Sequence, residues 1–131
     1  MRNTSQTLQN TKFDQPGLRT KIYVQTDMIG SGKIDLLRLI EKHGSITGAA
    51  REMGVGYRRA WFLIETIQRC FEAPLIETHR GGPNNGSRLT PLGTELIKRY
   101  DHHTKQVEAA SAEFLAWLEG HQRTSPLPSE R

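Results

Sequence analysis

Tyr57, Arg58 and Arg59 follow a Gly54-Val55-Gly56 break between two helical stretches, and no acid shares the turn they open. The start of a helix already carries partial positive charge and ordinarily draws acidic side chains. Cations placed there point to a negative partner supplied from outside. The chemistry on offer is anion recognition: an arginine can grip guanine through two hydrogen bonds or neutralise a phosphate, and a tyrosine can reach a phosphate through its hydroxyl or stack its ring. Tyr57 and Arg58 are the candidates for base readout, and Arg59 for a phosphate. The competing reading is a solvated pair of arginines on a helix surface, and their place in the first turn favours recognition.

Residues on either side can support the same chemistry. Ser45 and Thr47 open the preceding helical stretch, where hydroxyls and free amides can hold a phosphate, although capping is the first role of Ser45. Arg51 is expected to be exposed and to face phosphate. Arg80, Asn84, Asn85 and Arg88 surround the glycines of a later loop, a basic tip able to reach a minor groove or neighbouring phosphates. Asn and Gly also occur in any loop, so that assignment leans on the helices before it.

These residues need elements to hold them. Residues 1 to 17 are polar, without helical periodicity, and end in Pro16-Gly17, which reads as a disordered tail. Leu18, Thr20, Ile22 and Val24 alternate with Arg19, Lys21, Tyr23 and Gln25, the pattern of a half-buried strand. A first helix is predicted from Lys33 to His43, with Ile34, Leu37 and Ile40 inward and Gly44 as its stop. Ser45 caps a second, whose buried face is Ile46, Ala49, Ala50 and Met53; small residues at 48 to 50 are expected to let it approach the third closely, with Val55 plugging the space between them.

In the third helix, opened by Gly56, Ala60, Ile64, Ile67 and Phe71 recur at helical spacing before Pro74. This leaves Arg58, Phe62, Glu65 and Arg69 on the outer side to face solvent or DNA, and adds Phe62 to the expected DNA contacts. Leu75 to His79 and Ser87 to Thr90 then form a hairpin, and Thr90-Pro91 starts a fourth helix that reaches about Glu119. Along it Leu96, Tyr100, His103, Val107, Ala110, Phe114 and Trp117 recur at alternating steps of four and three. That is a coiled-coil seam, and it calls for a second copy of the chain.

Composition narrows the alternatives. The 131 residues hold 18 Lys and Arg against 14 acids, a formal charge of +4 that permits an anionic partner without demanding one. Cys70 is the sole cysteine and reads as a buried small hydrophobe; no intramolecular disulfide is possible. No apolar run approaches spanning length and no secretory leader is evident, so a soluble cytoplasmic protein without membrane contact is expected. Gly30-Ser31-Gly32-Lys33 resembles the end of a phosphate-binding loop, but Asp27 and Ile34 stand where that motif needs glycine and a hydroxyl, and the stretch reads as a plain connection. His79, His102, His103 and His121 match no zinc spacing, although His103 could make association pH-sensitive. No acid, base and nucleophile come together, so neither metal nor enzyme is expected.

Ser45-Ile46-Thr47-Gly48-Ala49-Ala50, Val55-Gly56-Tyr57-Arg58-Arg59-Ala60-Trp61, and Arg80-Gly81-Gly82 through Arg88-Leu89-Thr90-Pro91-Leu92-Gly93 occur together at distances that resemble the N-terminal domain of ModE, the bacterial molybdate-responsive regulator. The likeness covers about residues 18 to 118 and places the fold near the LysR-type DNA-binding domains. It implies a homodimeric winged-helix DNA-binding protein with recognition residues at Tyr57, Arg58 and Arg59 and wing contacts in the loop after His79. Full-length ModE senses oxyanion through separate C-terminal domains, which this sequence leaves no room for, so no small-molecule effector is expected within the chain.

The expected protein is mainly α with a small β part: a winged helix-turn-helix over 18–90, a dimerisation helix over 91–119 and a disordered tail over 120–131. Its expected partners are double-stranded DNA and a second copy of itself. The alternative is a winged helix that serves only as a protein-interaction module, through exposed Phe62 and the seam.

Overall fold

The computed structural model describes residues 16–25, 27–79 and 86–125. They belong to two compact units, one of Thr20–His102 and one that holds His103 onward with the residues before Thr20. The chain is mainly helical with two small antiparallel strand pairs: β1 (Ile22–Val24), β2 (Asp27–Ile29), α1 (Ser31–His43), α2 (Ile46–Met53), α3 (Tyr57–Gln68), β3 (Ile76–His79), β4 (Gly86–Leu89) and α4 (Pro91–His121).

The strand expected over 18–25 is shorter, and it is half of a hairpin. β1 pairs with β2 through Ile22↔Ile29 and Val24↔Asp27, and Gln25 turns the chain with a φ of 55°. The stretch read as a connection is instead the N-cap and first turn of α1, with Gly30 extended at the cap. Lys33 lies inside the helix and donates to the Met28 carbonyl at 2.9 Å.

Three helices enclose the core of the first unit. Ile34, Leu36, Leu37 and Ile40 of α1 meet Ile46, Ala49 and Ala50 of α2 and Ala60, Ile64 and Ile67 of α3, with Ile29 and Leu75 closing the ends. Fully burying an Ile or Leu side chain contributes roughly 2 kcal/mol, so the α1–α2–α3 contacts hold the candidate site in place. Met53 and Phe71, predicted within the buried faces, are half-buried against this core, as are Val55 and Cys70. Burial pushes the Cys70 thiol above its ordinary range.

The turn between α2 and α3 is set by backbone. Gly54 adopts φ 81°, a left-handed conformation open to glycine at little cost, and its amide bonds the Ala50 and Arg51 carbonyls. Gly48, expected to ease the approach of α2 to α3, faces α1 instead: a Cβ there would lie 2.9 Å from the His43 Cβ. Lys42 and His43 both bond Glu52, at 3.1 and 2.5 Å, and hold its carboxyl below the ordinary range, the His43 bond contributing most. The pair fastens the end of α1 to α2.

α3 stops at Gln68 rather than Phe71. The Gln68 amide donates to the Ala73 carbonyl and accepts from the Leu75 amide, both at 2.8 Å, and draws the chain off the helical path. α4 begins as expected: Thr90 Oγ1 accepts from the Gly93 amide at 3.1 Å and donates to the Pro74 carbonyl at 2.7 Å. Arg38 of α1 reaches both Asp35, at 3.3 Å, and Asp101 of α4, the latter through two guanidinium nitrogens. Burial nevertheless pushes the Asp35 carboxyl upward, opposed by the bond from Arg38.

Gly93 is packed where no side chain fits. A Cβ there would stand 2.4 Å from the Leu75 carbonyl oxygen. Helix propensity alone would make Gly93→Ala stabilising by about 1 kcal/mol. The clash reverses the sign, and net destabilisation of about 2 kcal/mol is expected, read as a fall in melting temperature of roughly 7 °C.

α4 runs two residues beyond the predicted Glu119 and so takes in the first residues of the expected tail. Residues 1–15 and 126–131 of the expected tails, and Arg80, Asn84 and Asn85 of the hairpin tip, lie outside the described residues. Among the described residues no helix is long and apolar enough to cross a membrane.

Candidate nucleic-acid interface

The start of α3 is bare. Its N-cap Gly56 offers no side-chain acceptor and its first turn has no acid. The Ala60 amide returns to the Gly56 carbonyl at 3.0 Å, while no acceptor among the described residues takes the amides of Tyr57, Arg58 or Arg59. A helix N-terminus in this state is an anion site.

The side chains match the backbone. Ala60, Ile64 and Ile67 face the core, which turns Arg58, Phe62, Glu65 and Arg69 outward as predicted. Arg51, Arg58 and Arg59 have no acidic partner among the described residues, in contrast with Arg69, which reaches Asp27 at 3.6 Å. Arg59 lies over the ring of Phe62 with 5.5 Å to its centre, which leaves its charge exposed. Tyr57 is 51% exposed and meets half-buried Trp61 edge-on at 6.3 Å, an arrangement that steadies the phenol at the helix tip.

Ser45 does what its position in the sequence predicts. Its hydroxyl accepts from the Gly48 amide at 3.0 Å and is engaged in capping α2. Thr47 is exposed on the first turn of α2. Arg88 is less free than expected, because the β3–β4 register sets it opposite Glu77, with their charges 3.7 Å apart.

Sequence reasoning missed a pocket of about 440 Å³ between the starts of α2 and α3 and the base of the β3–β4 hairpin. Ile46, Thr47, Tyr57, Trp61, His79 and Ser87 are among its lining residues. The hairpin is seated there by a bond from the Ser87 amide to the Gly44 carbonyl at 2.8 Å, and a Cβ on Gly86 would stand 2.4 Å from that same oxygen. The signal in the sequence was Gly86, which reads as loop filler until its neighbour across the contact is known.

The predicted seam divides by position. Leu96 and Tyr100 pack against the core of their own unit. In the other unit His103 and Val107 are half-buried and Ala110 is exposed. Phe114 and Trp117, 62% and 57% exposed, lie with rings nearly parallel and 6.2 Å apart, and Trp117 stacks on His121. Among the described residues no three potential metal ligands cluster.

No protein-family model matches this chain. It is 40% identical over 93 residues to the molybdenum-pterin-binding protein MopA of Rhodobacter capsulatus, across 70% of this chain and 34% of that protein. The transcriptional regulator ModE of Haemophilus influenzae is 35% identical over 78 residues, 59% of this chain and 31% of that protein. The DNA-binding transcriptional dual regulator ModE of Escherichia coli K12 is 37% identical over 70 residues, 53% of this chain and 27% of that protein. The chain is homologous to the Mop proteins and the ModE regulators. It spans about a third of the length of the relatives it matches. Their names describe transcriptional regulators and a molybdenum-pterin-binding protein, and no enzyme.

Proposed function

We propose that this chain is a sequence-specific DNA-binding transcriptional regulator of the ModE-like type, without catalytic activity, acting as a homodimer. The observation that carries this reading is the start of α3: three amides without acceptors and two arginines without acids among the described residues, and an exposed tyrosine, all in one turn. The α2–α3 pair is read as a helix-turn-helix and the β3–β4 hairpin as its wing. In that arrangement α3 enters the major groove by its N-terminal end. Arg58 then reads a base edge with Tyr57, Arg59 binds a phosphate, and the hairpin lies alongside. The DNA-binding named for the Escherichia coli relative supports the same reading.

Exposed Phe114 and Trp117 supply the apolar anchors of a second-copy contact, which would present two α3 helices to an inverted repeat. The molybdenum-pterin of the MopA name is not carried over, since no side chain here is assigned to it.

The test is equilibrium binding to duplexes selected from random-sequence DNA, followed as salt rises. Affinity should fall linearly on logarithmic axes with a slope of about −0.9 for each phosphate neutralised. Absence of duplex binding at low salt would overturn the assignment and leave the interaction module in its place.

A further inference from the structure

α3 holds two arginines and a single acid, Glu65. Arg58, Phe62 and Glu65 follow one another along its outer side at steps of four and three, and all three are exposed. Glu65 makes no side-chain hydrogen bond or ion pair among the described residues.

A partner for it stands close by and is committed elsewhere. Glutamate four residues before arginine is the favourable order for a pair on a helix, yet Arg69 turns to Asp27 at 3.6 Å. Gln68 is engaged with Ala73 and Leu75. The hollow of about 560 Å³ that Glu65 lines between α3 and β3 adds Trp61, Ile64, Ile76 and Thr78 and no other cation.

An unpaired carboxylate on a surface that meets phosphates weakens the grip on every duplex, because like charges repel. It contributes only by selecting among duplexes. In the major groove cytosine offers an amino donor at N4 that a carboxylate accepts, whereas guanine and thymine present acceptor oxygens that repel it. Side chains on a helix tilt towards its N-terminus, so Glu65 leans from the third turn of α3 back towards the end that enters the groove.

We infer that Glu65 reads a cytosine, accepting a hydrogen bond from its N4 amino group, and so specifies one base pair of each half-site besides the one that Arg58 contacts. This rests on the proposed DNA-binding function and names part of the sequence selected by it. Glu65 stands seven residues after Arg58, about 10 Å along the helix. At about 3.4 Å per base pair, the cytosine lies within about three base pairs of the base that Arg58 reads.

The test measures affinity for the selected duplex with every base pair of one half-site replaced in turn by the other three, for the parent, Glu65→Ala and Glu65→Gln. The parent should favour cytosine about tenfold over guanine or thymine at one such position. Glu65→Ala should level that position to within about twofold and leave the preference at the Arg58 position as it was. Its melting temperature should not fall, since the residue is exposed and alanine favours helix, and its affinity for a scrambled duplex should not fall either. Glu65→Gln should turn the preference at the same position towards adenine, whose N6 and N7 suit an amide. If Glu65→Ala keeps the parental preference at every position, weakens all duplexes by one factor, or levels a position where the parent favours a base other than cytosine, Glu65 does not read cytosine. Those results are distinct from absence of parental DNA binding, which removes the DNA reading and this inference with it.

Discussion

Replacing Arg58 and Arg59 together with alanine lowers the affinity for a selected duplex by at least on the order of a hundredfold. A bidentate arginine on a base edge contributes about 1–3 kcal/mol of discrimination, and a phosphate-bound arginine adds the release of counterions. The fold should survive the change. Both side chains are exposed, neither has an acidic partner among the described residues, and the substitution takes away the Arg59 guanidinium that lies over the Phe62 ring. Such a cation over an exposed ring contributes about 0.5–1 kcal/mol. A melting transition lowered by no more than about 4 °C beside the weakened binding would place the effect at the interface. Arg58→Ala alone should relax sequence preference at one position per half-site, while Arg59→Ala should weaken all duplexes alike.

The second large effect concerns assembly. Phe114→Glu with Trp117→Glu is expected to reduce the sedimenting mass from two copies of the 14.8 kDa chain to one. Aromatic side chains bury 150–250 Å² each, and Phe114 and Trp117 leave more than half of their surface uncovered. At about 25 cal/mol per Å², four such rings across a two-fold contact supply enough that placing carboxylates there should weaken the dimer at least on the order of a thousandfold. Half-site affinity should persist in the monomer while the gain from binding two half-sites disappears. Parent protein that sediments as one copy at high concentration would remove the seam from the account.

Much of this architecture can be read from local signals. Ser45, Gly44, Gly54 and Thr90 act on the chain within a few residues of themselves, and each takes its predicted role as cap or stop. The buried faces of α1, α2 and α3 follow helical spacing for the same reason. Reading failed where distant residues decide. β2 is three residues long and depends on pairing with β1, so a single alternating run was visible where a hairpin exists. The end of α3 depends on the Gln68 side chain reaching Ala73 and Leu75. Gly48 was assigned to the wrong neighbour, because a small residue announces close contact without naming what comes close. At the candidate site, Tyr57, Arg58 and Arg59 stood out through charge at a helix start. Ser87 did not, since its burial comes from a hairpin seated on Gly44, a contact between residues far apart in the chain.

The most direct measurement is a pair of salt titrations on one selected duplex, for the parent and for the variant lacking both arginines. The account predicts a steep parental line, and for the variant a lower line that is shallower by about one to two units of slope. Coincident lines, or none above background for the parent, would contradict the claim that the start of α3 meets DNA.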